Sequence, residues 1–223
     1  MKVLAFDLSS VCTGVTFADI KDRKVIFLKT FSIKPNVKKA DIIKELGFIH
    51  SEKVSTTGIR AWVKEPGEIV SRTEKKKRDV KIRNAYNSKI KKNISLEIKK
   101  VIDGLHPDLI LVERNESFNG ILTTKFLAEI RGILEGAATE QPIIQYSVSE
   151  IRKVFNLAEM TMKYVEKITP EQMRGKKDIT KHVLKSFLEN KYNITCANTD
   201  ESDSLAVFDH YYESEVLKNE VYC

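Results

Sequence analysis

After Pro107 the chain runs Leu109-Ile110-Leu111-Val112-Glu113, four apolar residues in succession and then an acid. A strand with one wet face alternates. A strand apolar on both faces must be covered on both, which is the place of a central strand in a parallel or mixed sheet. Val3-Leu4-Ala5-Phe6 is a second short apolar run, and it too ends in an acid, Asp7. Gly14 to Ala18 and Val25 to Ile33 read as two further strands, and the short turns between these first three imply an antiparallel meander. From Arg72 the pattern turns helical. Ile82, Tyr86, Ile90, Ile94 and Ile98 recur every four residues until Gly104 and Pro107 end the run.

Leu122 to Thr139 predicts a second long helix, with Leu122, Phe126, Ile130, Ile133, Leu134 and Ala137 at helical spacing. Ile143 to Tyr146 reads as a strand. Ser149 to Phe155, Asp178 to Asn190 and the stretch from Asp200 read as helices. A meander followed by crossovers predicts an α/β fold: a mixed sheet with helices on both faces. Pro35 to Ser71, around Trp62, has weak periodicity. With the basic helix it is read as an insertion at about 35–100 in a single domain covering 1–223. Trp62 suits either the core of that insertion or a stacking platform for a base.

Composition narrows the class. At 42% hydrophobic and 31% charged, 223 residues can bury a sizeable core. No run of about 18 apolar residues occurs, so no ordinary membrane span is expected. The start has no basic-then-apolar leader, so secretion is not expected either. Cys12, Cys196 and Cys223 are odd in number and far apart, unlike a disulfide framework or a zinc site. A reducing cytoplasmic setting follows as the expectation. The net charge is +7, and it is uneven. Arg72 to Lys100 holds twelve Lys/Arg against three Asp/Glu, leaving about −2 for the rest. Such a segment is either a solvated helix face or a surface for a polyanion.

Four acids stand out by position. Asp7 and Glu113 each close an apolar strand at its carboxyl end, where ligands of open α/β sheets bind. Asp200 and Asp203 lie three apart at a helix start and so share a side. Converging carboxylates repel unless a cation sits among them, and oxygen-only sites suit Mg²⁺ or Mn²⁺. Each acid also has a plainer reading. Asp200 and Asp203 can cap the helix. Glu113 can pair with Arg114 or Arg131, and Asp7 can cap the turn at Ser9-Ser10. His50, His106, His182 and His210 show no ligand spacing and read as structural.

The start, Leu4-Ala5-Phe6-Asp7-Leu8-Ser9-Ser10-Val11-Cys12-Thr13-Gly14, resembles the opening strand and turn of RuvC-type Holliday junction resolvases. Three further blocks are similar to the family, in family order. They are Val112-Glu113 through Ala128, Arg131-Gly132 and Pro142-Ile143 to Tyr146; Gly175-Lys176-Lys177-Asp178; and Asp200-Glu201-Ser202-Asp203-Ser204-Leu205-Ala206. The resemblance implies an RNase H-like fold, a homodimer, and paired symmetric nicks across four-way or otherwise branched DNA. It implies two Mg²⁺ ions per site, with Mn²⁺ able to substitute, on Asp7, Glu113, Asp200 and Asp203, and no small-molecule cofactor besides. It places Lys177 with the catalytic residues. DNA contacts are assigned to Arg152, Lys176, Lys177 and Lys181, and to Phe118, which either stands in for the family's junction-wedging aromatic, whose place Glu116 takes, or belongs to the core. Lys75, Lys76, Lys77 and Arg78 of the basic helix are read as further DNA contacts. The insertion and Arg152, where the family usually has Lys, are departures from the pattern.

Two rivals belong to other classes. An actin-like or sugar-kinase-like ATPase also opens on a strand, an Asp and a small-residue turn, but it needs a second Gly-rich phosphate turn, and the chain has only nine glycines. A non-catalytic binder of branched nucleic acid would tolerate the loss of an acid, yet all four are present.

Overall fold

The structure is a computed structural model that describes residues 1–9, 11–50, 62–66, 68–114, 121–155 and 179–218. The chain divides into two compact units, one built from Met1–Lys34 with Ser95–Cys223, the other from Pro35–Ile94.

The first unit is a five-stranded sheet with helices. Strands β1 (Lys2–Asp7), β2 (Thr13–Lys21) and β3 (Lys24–Ile33) form the antiparallel meander, and β6 (Leu109–Arg114) and β7 (Ile143–Ser147) add in parallel. The order across the sheet is β3-β2-β1-β6-β7. Helix α2 (Arg72–Leu105) begins in the other unit and ends in this one; α3 (Ile121–Ala137), α4 (Val148–Val154), α5 (Ile179–Tyr192) and α6 (Thr199–Tyr211) follow.

The two-residue period of the strands sorts the core. Val3, Ala5, Leu109 and Leu111 share one face and pack with Leu184 and Leu188 of α5 and with Leu205, Ala206, Val207 and Phe208 of α6. Leu4, Phe6, Ile110 and Val112 point the other way and are equally buried, so both faces of β1 and β6 are covered. Ile98 and Ile102 of α2 and Ile130 and Leu134 of α3 are buried in the same unit. This is the cover that an unbroken apolar strand demands.

The second unit holds α1 (Lys39–Glu45), a two-strand ribbon of β4 (Ile49–His50) with β5 (Trp62–Val63), and the first turns of α2. Its centre is an arginine. Arg78 is 7% exposed. Its guanidinium donates to both Glu68 oxygens (2.6 and 3.1 Å), to the Trp62 carbonyl (2.8 Å) and to Glu74 (3.2 Å), and lies over the Phe48 ring. Arg78 was expected among the DNA contacts. It is instead a buried fork that ties ribbon, loop and helix together, a role that suits a planar five-donor group. Lys75 likewise pairs with Asp79 at 2.9 Å. The wide basic segment is therefore divided between internal ion pairs and surface charge.

Candidate active site

The face of β1 and β6 that meets α5 and α6 ends in the two strand acids. Phe6 is paired with Val112 in the parallel register, so Asp7 and Glu113 come next, on the side of Val3, Ala5, Leu109 and Leu111. Apolar stripes that run into carboxylates deliver those carboxylates to the end of the sheet, under the first turns of α5 and α6.

Helix α6 brings the other two acids. Asn198 is its N-cap and accepts from the Glu201 amide at 3.0 Å. Glu201 in turn accepts from the Ala197 amide at 2.8 Å. Capping thus belongs to Asn198 and Glu201, and Asp200 and Asp203 are left for other work. The helix is fixed on the meander by polar contacts. Ser204 donates to the Glu201 carbonyl at 2.8 Å, so in its 2.9 Å contact with Thr16 the threonine is the donor. Asn198 donates to Ser32 at 3.1 Å. Two of the roles open to the strand acids are filled by other groups. The β1–β2 turn is closed by Ser9 and Thr13, with the Ser9 hydroxyl accepting from the Val11 and Cys12 amides. Arg131 pairs with Glu135 on its own helix.

The electrostatics show that these carboxylates converge. Burial, then Glu113 and Asp203, pushes the Asp7 carboxyl well above the usual range. Burial and Asp203 push Glu113 up to about 7. Asp203 is raised chiefly by burial, against the pull of Lys181. Lys181, on the first turn of α5, donates to Asp203 Oδ2 at 2.6 Å, and its charge also reaches Asp7 and Asp200. Its helix turns inward through Leu184 and Leu188, at spacings of three and seven, which aims Lys181 at the acids. Arg152 on α4 lies near enough to pull Glu113 and Asp203 down. That helix starts from a capping box in which Ser147 accepts from the Glu150 amide at 3.2 Å and its own amide donates to Glu150 at 2.6 Å.

Of the residues expected from sequence, Asp7, Glu113, Asp200, Asp203, Arg152 and Lys181 each lie near enough to feel the charge of others in the set. Lys176, Lys177 and Phe118 lie outside the described residues. Sequence reasoning missed two neighbours. Buried Cys12 has its thiol between Ser32 and Asp200, and burial together with Asp200 pushes its pKa up. Gly14, paired with Asp7 across β1 and β2, lies against the Asp200 backbone. It also missed Asp209, a buried acid two turns along α6 that takes Lys191 and Tyr192 as partners and braces α5 against α6. Only its side of the helix marks it.

The donor set suits a hard divalent cation: carboxylate oxygens only, largely buried, mutually repelling, with fewer cations than acids around them. Among the described residues, no group of three such donors is already drawn together as a coordination shell. The chemistry of the donors fits the metal, and Lys181 is the counter-charge that the protein itself supplies.

No family model and no curated protein sequence matches the chain. Solved structures do. RuvC of T. thermophilus in complex with a Holliday junction substrate matches with a TM-score of 0.51 at 10% identity, covering 97% of this chain and 98% of that one. A second structure of Thermus thermophilus RuvC matches with a TM-score of 0.50 at 13% identity, over 96% of each chain. The chain has the RNase H-like fold. The expected architecture holds: an antiparallel meander with strands added in parallel. No helix among the described residues is long and apolar enough to cross a membrane.

Proposed function

We propose that the chain is a metal-dependent endonuclease that resolves branched DNA, four-way junctions above all, by hydrolysing phosphodiester bonds as paired symmetric nicks. The observation that carries this reading is the convergence of Asp7, Glu113 and Asp203 at one end of an RNase H-like sheet with Lys181 among them. Acids clustered around a lysine suit phosphate chemistry, and the fold is similar to that of a RuvC whose structure holds a Holliday junction.

Asp7, Glu113, Asp200 and Asp203 would hold the divalent ions, with Mg²⁺ the expected metal and Mn²⁺ a substitute. When bound, such ions supply a water of lowered pKa and positive charge beside the scissile phosphate. The protein's own groups do the rest. Asp7 is central, since the charges of Glu113, Asp203 and Asp200 all act on it. Lys181 orients Asp203 and offsets the repulsion that four acids would exert on an incoming phosphate. Arg152 brings a fork-shaped cation to the same edge, suited to a phosphate oxygen pair. Thr16, Ser204 and Asn198 hold α6 in register so that Asp200 and Asp203 arrive together. Two nicks across a junction need two sites, which a twofold homodimer supplies.

The test is direct. End-labelled four-way junctions and duplexes of matched sequence are incubated with the protein, with and without Mg²⁺. Paired nicks in the junction alone, only with metal, are the expected result. Equal cutting of duplex, or cutting in chelator, refutes it.

A further inference from the structure

The two units differ in charge. The unit Pro35–Ile94 holds sixteen Lys/Arg against seven Asp/Glu, a net +9, which leaves −2 for the unit that carries the acidic site. A polyanion gains little from the second and much from the first. The excess is concentrated on α2, and the ion pairs show which part of it faces outward. Lys75 is held by Asp79, Arg78 by Glu68 and Glu74, and Lys89 by Glu45. Lys76, Lys77 and Lys81 have no carboxylate partner among the described residues; Lys81 only approaches the Phe48 ring. These three, with Val80 and Asn84, line an open groove of about 490 Å³. Their spacing follows one exposed side of the helix, opposite the buried Arg78 and Ile82.

We infer that the Lys76–Lys77–Lys81 face of α2, with the Asn84 amide, is a nucleic-acid contact that grips the phosphate backbone of a duplex arm without reading its sequence. Three cations with no carboxylate partner among the described residues, set along five residues of a helix that rises about 1.5 Å per residue, suit a duplex backbone, which carries one charge per ~1.7 Å of axis. The groove is lined chiefly by lysine ammoniums, with the single amide of Asn84, a set that suits phosphate oxygens more than a run of base edges. A membrane surface fits less well, because a lipid-facing helix needs an apolar stripe. Among the described residues of 72–92, Val80 is the one large apolar side chain that is exposed. The inference rests on the nuclease reading for its substrate, but the surface binds duplex whether or not the acidic site cuts.

The test uses the full chain in chelator, with a labelled 30-base-pair duplex titrated across a series of salt concentrations. Replacing Lys76→Gln, Lys77→Gln and Lys81→Gln together is expected to lower the slope of log affinity against log salt by about 2 to 3, near 0.9 per lost phosphate contact. The control carries Lys75→Gln, Lys89→Gln and Lys100→Gln, the same loss of formal charge from lysines already paired with carboxylates. Its slope is expected to change by less than about one. Circular dichroism melts show that both variants fold. Equal slope changes in the two variants, or none in either, overturn the inference. So does selective loss of binding to phosphatidylserine vesicles with duplex binding intact, which would make this a lipid face. A wild type that cuts junctions while the first variant keeps the wild-type slope removes the surface and leaves the nuclease reading standing. A wild type that binds duplex through this face but never cuts does the reverse.

Discussion

A Cβ built on Gly14 would stand 1.8 Å from the carbonyl oxygen of Asp200. The first turn of α6 thus rests on bare backbone of β2, at the residue that pairs with Asp7. Gly14→Ala has nowhere to put its methyl group except into main chain, so α6 must lift. The expected cost is about 1–3 kcal/mol of stability, with Asp200 displaced from Asp7. Cleavage should fall at least ~100-fold while junction affinity stays within a few-fold. A wild-type cleavage rate in Gly14→Ala would show that Asp200 tolerates displacement.

The Asp7 carboxyl is raised by burial and by its acidic neighbours. A carboxyl whose pKa is raised on folding disfavours its charged form in the folded state, so at neutral pH it weakens the fold. Asp7→Asn should therefore raise the melting temperature in chelator, by roughly 2–6 °C for a gain of about 1–2 kcal/mol. Single-turnover cleavage should fall by several orders of magnitude, since a stabiliser worth ~3–4 kcal/mol or more is lost. Thermal melts with and without Mg²⁺, beside junction cleavage, check both halves.

The Lys181–Asp203 pair gives the opposite sign. Asp203 is only 13% exposed, and its partner is 35% exposed. Lys181→Met removes the cation that holds Asp203 charged, so the metal-free protein should lose stability, and Asp203→Asn should recover part of the loss. A double-mutant cycle read by melting temperature isolates the pair. Additive effects would mean that the contact contributes nothing.

In the other unit the guanidinium of Arg78 holds Glu68 down to about 2. A carboxyl lowered on folding contributes stability above its unfolded value, near 4.5, and that stability is lost as pH falls through about 2. Wild-type stability should drop across this window. Glu68→Gln should flatten the drop and be less stable at neutral pH. Denaturant melts at pH 7, 4 and 2.5 are the measurement.

Metal identity offers a further check. Mn²⁺ should support cleavage, and Ca²⁺ should support junction binding without nicks, because it accepts looser coordination. Calcium-dependent cleavage at the magnesium rate would argue against the proposed site.

The sheet and its helices were legible because they rest on local periodicity. Val3 to Phe6 and Leu109 to Val112 reveal burial on both faces, and the isoleucines of α2 reveal a helix. Asp7, Glu113, Asp200 and Asp203 were legible because each ends or begins an element. The fate of Arg78 was not, since burying it depends on Glu68 and the Trp62 carbonyl, ten and sixteen residues away. Nor was the capping role of Asn198, which left Asp200 and Asp203 looking like caps. Lys181 was distinguishable from its neighbours only once α5 was seen to face α6 across the core.

The parallel register of β1 with β6 carries a last consequence. The same pairing that buries Phe6 beside Val112 sets Asp7 beside Glu113. A slip of one strand by one residue would turn its acid to the other face, away from its partner, and exchange the apolar stripe that it packs against α5 and α6. Chemistry and folding therefore share a single index. Slippage would therefore separate Asp7 from Glu113 and repack the core in the same event, so the packing of this sheet and the pairing of its two acids are one property of the fold.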